Sequence, residues 1–128
     1  MLETIILAIL TDEKPVSWRE EIKAYAIETQ DPRLYARSRT SRPEFACIDE
    51  LLQRESSWRT RENPHLAVNR SSGAYGIPQS LPAEKMASKG HDWETNPITQ
   101  MKWFFSYIKQ RYGNACTALE HHNRKGWY

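Results

Sequence analysis

The sequence predicts a mainly helical α+β domain, a set of short helices with one small β-hairpin lobe beside the central helix. Three observations carry that prediction. Residues 45–58, FACIDELLQRESSW, place Phe45, Ile48, Leu51, Leu52 and Glu55 at steps of three and four, which is one helical face. Further apolar stripes of the same period lie on both sides, bounded by capping residues, Pro and Gly. Across residues 59–82 the helical period stops and turn signals take over. A chain of 128 residues with 39% hydrophobic content is the size of one compact domain.

Leu2, Ile5, Ile6, Ile9 and Leu10 predict a short amphipathic helix, ended by Thr11, Asp12 and Pro15. Ser17 to Glu20 (SWRE) has the form of a capping box and opens a second helix to about Thr29. Trp18, Ile22, Tyr25 and Ala26 lie on its inner face. Asp31-Pro32 stops this helix and caps one further turn through Ala36. Arg33, Arg37, Arg39 and Arg42, with Ser and Thr among them, look like a basic linker. Such a run is ordinarily a solvated segment; its sharper use is attraction to a polyanion. Residues 1–42 are thus expected to form a helical extension and linker, with the main domain over 43–128.

Ser41 to Glu44 (SRPE) is a second capping box, with Pro43 accommodated in the first turn of the central helix. After Glu55 and Ser56 come Asn63-Pro64, Ser72-Gly73, Gly76 and Pro78, all breakers. Leu66, Val68, Tyr75 and Ile77 roughly alternate among them, which predicts the hairpin. Gly73 and Gly76 would let backbone approach a ligand closely. Ser80 and Pro82 open a short helix through Met86, closed by Gly90. Asn96-Pro97 caps the next helix, with Met101, Phe104, Phe105, Ile108 and Tyr112 toward the core. Gln100, Trp103 and Tyr107 occupy a neighbouring face able to border a groove. Gly113 ends that helix, and a last turn from Ala115 to about His122 carries Cys116 and Leu119.

Glu55 stands out within this scheme. An acid continuing an apolar stripe is costly to bury as a carboxylate. Desolvation raises its pKa, which is the environment of a general acid. The bland reading is a Glu turned outward into water, paired with Arg54 or Arg59.

The formal charge of +2 does not announce nucleic acid. Five Trp and six Tyr are more informative, because amphipathic rings serve both cores and polar ring-shaped ligands. Cys47 and Cys116 are compatible with one disulfide or two buried thiols, and are too few for a structural zinc site without histidines. The adjacent His121 and His122 lack a third ligand at metal spacing, so no metal site is expected. The apolar run at residues 5–10 is far short of the ~20 residues needed to cross a membrane. Glu3 stands where a signal peptide needs Lys or Arg, and no cleavage site follows, so no export signal is expected.

Four motifs in order carry a resemblance: ESSW at residues 55–58, SSGAYGIPQS at 71–80, NPITQMKWFFSYI at 96–108 and RYG at 111–113. Together they resemble the soluble lytic transglycosylases of the lysozyme superfamily, in their actinobacterial and phage branch, where domains end in GWY. The likeness covers roughly residues 45–128. It implies an α+β lysozyme-like fold and makes Glu55 the catalytic acid, with Ser56 helping to orient groups beside it. It makes Gly76, Ile77, Gln79 and Tyr107 substrate-binding residues; Tyr75, within the second motif, and Trp103, on the groove-bordering face, are further substrate-binding candidates. It implies a Cys47–Cys116 disulfide. The family's usual AYN-like motif is missing: residues 118–123 read ALEHHN, and His121 is the candidate to stand in.

The implied substrate is the glycan strand of peptidoglycan, cut between N-acetylmuramic acid and N-acetylglucosamine. The implied product is a 1,6-anhydro sugar, with no cofactor or metal required. Glu62 and Asp92 are the candidates for a second acid, read otherwise as a loop charge and a turn residue. A hydrolytic muramidase of goose-lysozyme type is the nearest alternative. A non-catalytic glycan-binding or virion structural module is the alternative from another class. The expected setting is the cell wall or extracellular space, as a monomer or within a phage or wall assembly. Nucleic acid stands last among the partners.

Overall fold

The structure, a computed structural model, describes residues 15–59, 68–69 and 71–128. The helix expected over residues 2–10 lies outside them. The described residues form α1 (Pro15–Thr29), α2 (Pro32–Arg39), α3 (Arg42–Glu55), a 3-10 helix (Ala83–Lys89), α4 (Pro97–Arg111) and α5 (Ala115–Lys125). The mainly helical class is as predicted.

Capping explains most of the boundaries. Asp31 accepts from the Leu34 N–H at the start of α2, Ser41 from Glu44 at the start of α3, and Asn96 from Ile98 and Thr99 at the start of α4. The capping box at Ser41 is only half made, because the Glu44 carboxylate accepts instead from the Ala115 N–H, 2.8 Å away. It thereby anchors the first turn of α5 and suits that helix's positive end. The box expected at Ser17 does not start its helix, for α1 already runs from Pro15.

The basic linker is also corrected: Arg33, Arg37 and Arg39 belong to helix α2. Their charges serve packing. Arg33 grips Asp49 of α3 through two hydrogen bonds of 2.9 and 2.8 Å. Arg37 donates to the Thr40 carbonyl, and Arg39 stacks 4.3 Å from the Phe105 ring centre. So short a helix draws its stability from such tertiary contacts rather than from propensity, which is why its sequence looked like linker.

Helix α3 is central: it packs on α5 and α2, while α2 also lies on α1 and α4. Ile48, Leu51 and Leu52 are fully buried, as their spacing predicted. Each such aliphatic chain contributes about 1.5–3 kcal/mol through burial. They join Met101, Phe104 and Ile108 of α4 and Ala118 of α5, together with Ala26 of α1 and Tyr35 and Ala36 of α2, in one core. The Cys47–Cys116 disulfide, with Cα atoms 5.0 Å apart, ties α3 to α5. Among the described residues no helix is long and apolar enough to cross a membrane.

The expected hairpin is not formed among the described residues. Only two isolated antiparallel bridges occur there, Val68 with Tyr75 and Tyr75 with Ser80. Gly76 and Gln79, at φ of 76° and 54°, turn the chain back within a few residues, so no ladder can extend. Leu66 lies outside the described residues.

Candidate active site

Glu55 is the last residue of α3. Ser56 caps the helix, and Ser57 and Trp58 then turn left-handed at φ of 56° and 58°, ending it sharply. The apolar stripe therefore delivers Glu55 to a helix end, where its side chain is 17% exposed. Burial pushes its carboxyl above the ordinary value, and the neighbouring His122 partly offsets this. Arg54 is not its partner, for it pairs with Glu50 one turn earlier. The partner is His122 of α5, whose Nε2 lies 3.0 Å from Glu55 Oε1.

Ser56 is buried, and its hydroxyl donates to the Ile77 carbonyl at 2.7 Å. The Ile77 N–H in turn donates to Gln100 Oε1 at 3.0 Å, while Gln100 Nε2 holds the Trp93 carbonyl. Both backbone groups of Ile77 are thus clamped, one by α3 and one by α4. This pins the turn over residues 76–79 beside Glu55. Gly76 is required there, because a Cβ would meet Gln100 Oε1 at 2.6 Å and φ is positive. The Gln79 amide donates to the Gly76 carbonyl, closing the turn.

Glu55 opens on a cleft of about 410 Å³. Its walls include Pro78 and Gln79 from the turn, Trp103, Tyr107 and Arg111 from α4, and Trp127 and Tyr128 after α5. Trp103 and Tyr107 stack with ring centres 4.9 Å apart and planes 19° apart. Tyr107 also meets Tyr128 edge-on, and the Tyr128 hydroxyl donates to the Pro78 carbonyl at 2.6 Å. Arg111 lies across Tyr107 and Trp127. Glu55 is the acid among the described lining residues; Lys85 and Arg111 are the cations. Such a site can donate a proton to a ligand held against flat rings.

The sequence-predicted site residues separate into two groups. Glu55, Gln79, Trp103 and Tyr107 line the cleft. Ser56, Gly76 and Ile77 do not; they are buried and hold the turn in place. Tyr75 points elsewhere, with its hydroxyl on the Glu94 carbonyl and its ring against Trp93. His121 is not a cleft residue either. Its Nδ1 contacts the Trp127 carbonyl at 2.9 Å and its ring meets Trp127 edge-on, so it supports a wall. Asp92 is a turn residue, accepting from Asn96 and Thr99 at 2.7 Å each. Glu62 lies outside the described residues.

Sequence reasoning missed His122, Arg111, Trp127 and Tyr128. The GWY ending was visible as a motif, but only packing shows that its two aromatics enter the cleft. Among the described residues, no cluster of three or more His, Cys, Asp or Glu side chains is placed to hold a metal ion. Comparison with protein-family models, curated proteins and solved structures returned no match.

Proposed function

We propose that this protein is a lytic transglycosylase with a lysozyme-like α+β architecture, acting on the glycan strands of peptidoglycan. The observation that carries the reading is one acid, raised by burial, opening on an aromatic-walled cleft. The four ordered motifs supply the substrate class. Protonated Glu55 donates to the oxygen bridging N-acetylmuramic acid to N-acetylglucosamine as that bond breaks. The substrate's N-acetyl group supports the positive charge left on the sugar. Glu55, now a carboxylate, removes the proton from the C6 hydroxyl, whose oxygen closes the 1,6-anhydro ring. One residue serves as acid and then base, which favours a pKa near the working pH.

Two-carboxylate glycosidases place a second acid about 5–9.5 Å away. Among the described residues the cleft lining offers none. That supports a reaction assisted by the substrate itself. The disulfide fits an oxidising setting such as the wall exterior, reached through phage lysis, virion delivery or processing of a larger precursor.

Mass spectrometry of muropeptides released by the wild type and by Glu55→Gln tests the proposal. The expected result is anhydro-muramyl products from the wild type and a loss of about 10²–10⁴-fold in the variant. Products with reducing ends alone would assign a hydrolytic muramidase instead. Undiminished wall clearing by Glu55→Gln would leave only a glycan-binding or virion structural module.

A further inference from the structure

Glu55 and His122 meet where α3 packs on α5, with Oε1 and Nε2 3.0 Å apart. The other ring nitrogen decides which way that hydrogen bond runs. Arg54 Nη1 lies 3.4 Å from His122 Nδ1, and a guanidinium only donates. For that contact to be a hydrogen bond, Nδ1 must offer its lone pair, which assigns the ring proton to Nε2. Arg54 is itself held by Glu50 and by Asn123, the residue after His122. The Nε2–H is thus directed at Oε1. When a carboxyl is protonated, one oxygen accepts and the other carries the proton. A fixed donor on Oε1 leaves the proton to Oε2.

We propose that His122 is the positioning residue of this cleft: it holds Oε1 as the acceptor in both protonation states and makes Oε2 the oxygen from which the proton leaves and to which it returns. The use of that proton rests on the transglycosylase reading; its location does not. In the reaction the Oε2 proton goes to the departing sugar oxygen, and the C6 hydroxyl proton replaces it on Oε2, so the carboxyl is restored without water. Among the described residues, the other charged or titratable groups around the pair include Arg54 and its partner Glu50 from α3, Tyr107 and Arg111 from α4, Lys85 from the 3-10 helix, and Tyr128.

The test is NMR on the full chain, reading the ¹⁵N shifts of the His122 ring and the ¹³C titration of the Glu55 carboxyl. The expected ¹⁵N pattern is a proton on Nε2 and a bare Nδ1. His122→Leu fills the space without a donor, so the Glu55 midpoint should move to higher pH; His122→Gln, whose amide can donate, should bring it back. On wall glycan, His122→Leu should lose about 10–100-fold in kcat with little change in KM, and its alkaline limb should shift upward. A proton found on Nδ1, or a Glu55 midpoint unmoved in His122→Leu, overturns the proposal. The wild-type ¹⁵N spectrum decides even where a variant fails to fold. The NMR readouts need no turnover, so an active Glu55→Gln, which removes the transglycosylase reading, is told apart from failure of the His122 assignment.

Discussion

The chemistry of Glu55 follows from where α3 stops. One turn earlier the carboxyl would sit among Leu51 and Leu52 in the closed core; beyond Ser56 the chain is no longer helical. At the helix end it is largely withdrawn from water yet faces an open cleft. Burial raises its pKa above the ordinary 4.5, so the folded state binds this proton more tightly than the unfolded chain does. The sign follows from linkage: stability falls as pH rises from about 4.5 through the raised folded value. Glu55→Gln removes that liability and can still accept from His122. Thermal unfolding should show the variant gaining on the wild type as pH rises across that window, and holding a constant advantage above it.

At the scale of elements, the site depends on α3, α4 and α5 keeping their register. Arg33 and Trp58 both hold Asp49, so α2 and the chain after α3 are fastened to the same carboxylate. Glu44 and the disulfide fasten the opposite end of α3 to the start of α5. The bridge spans 69 residues, and closing a loop of that length stabilises by about 4 kcal/mol. Replacing Cys47 and Cys116 together by Ser should lower unfolding free energy by that order in urea titrations. The Glu55–His122 contact should loosen with it, because α5 carries His122. The α3 stripe and its Ser41 cap were legible in the sequence, since periodicity and capping are local signals. The start of α2 at Asp31 was legible too, but its continuation to Arg39 was not, since its arginines act on Asp49, Thr40 and Phe105, and only Thr40 is a near neighbour in the chain.

At the scale of the molecule, the cleft forms where distant segments converge: the end of α3, the turn over residues 76–79, one face of α4, and the residues after α5. Trp103, Tyr107 and Arg111 recur at helical spacing on α4, while Lys102, Phe105 and Lys109 lie roughly opposite. Tyr128 joins the parts, packing on Phe104 and Tyr107 and bonding the Pro78 carbonyl. Its phenol is raised well above the usual value by burial, with Glu55 adding to the effect. Tyr128→Ala should cost about 3 kcal/mol and, under the proposed transglycosylase reading, raise KM for wall glycan, as the turn over residues 76–79 loses its support. Tyr128→Phe keeps the ring and should cost only about 1 kcal/mol. Urea unfolding and initial rates separate the two.

By itself the sequence determined that the chain is mainly helical, where the caps at Asp31, Ser41 and Asn96 begin helices, and that an acid rides the end of an apolar stripe. Those features are set by neighbours within a turn or two, so spacing reveals them. Only the tertiary structure decided that His122 and not an arginine meets Glu55, that Ser56 and Gln100 clamp Ile77 from two helices, and that Trp127 and Tyr128 wall the cleft. Period and propensity say which face a residue occupies. They do not say which remote side chain arrives opposite it, because that depends on how whole helices pack.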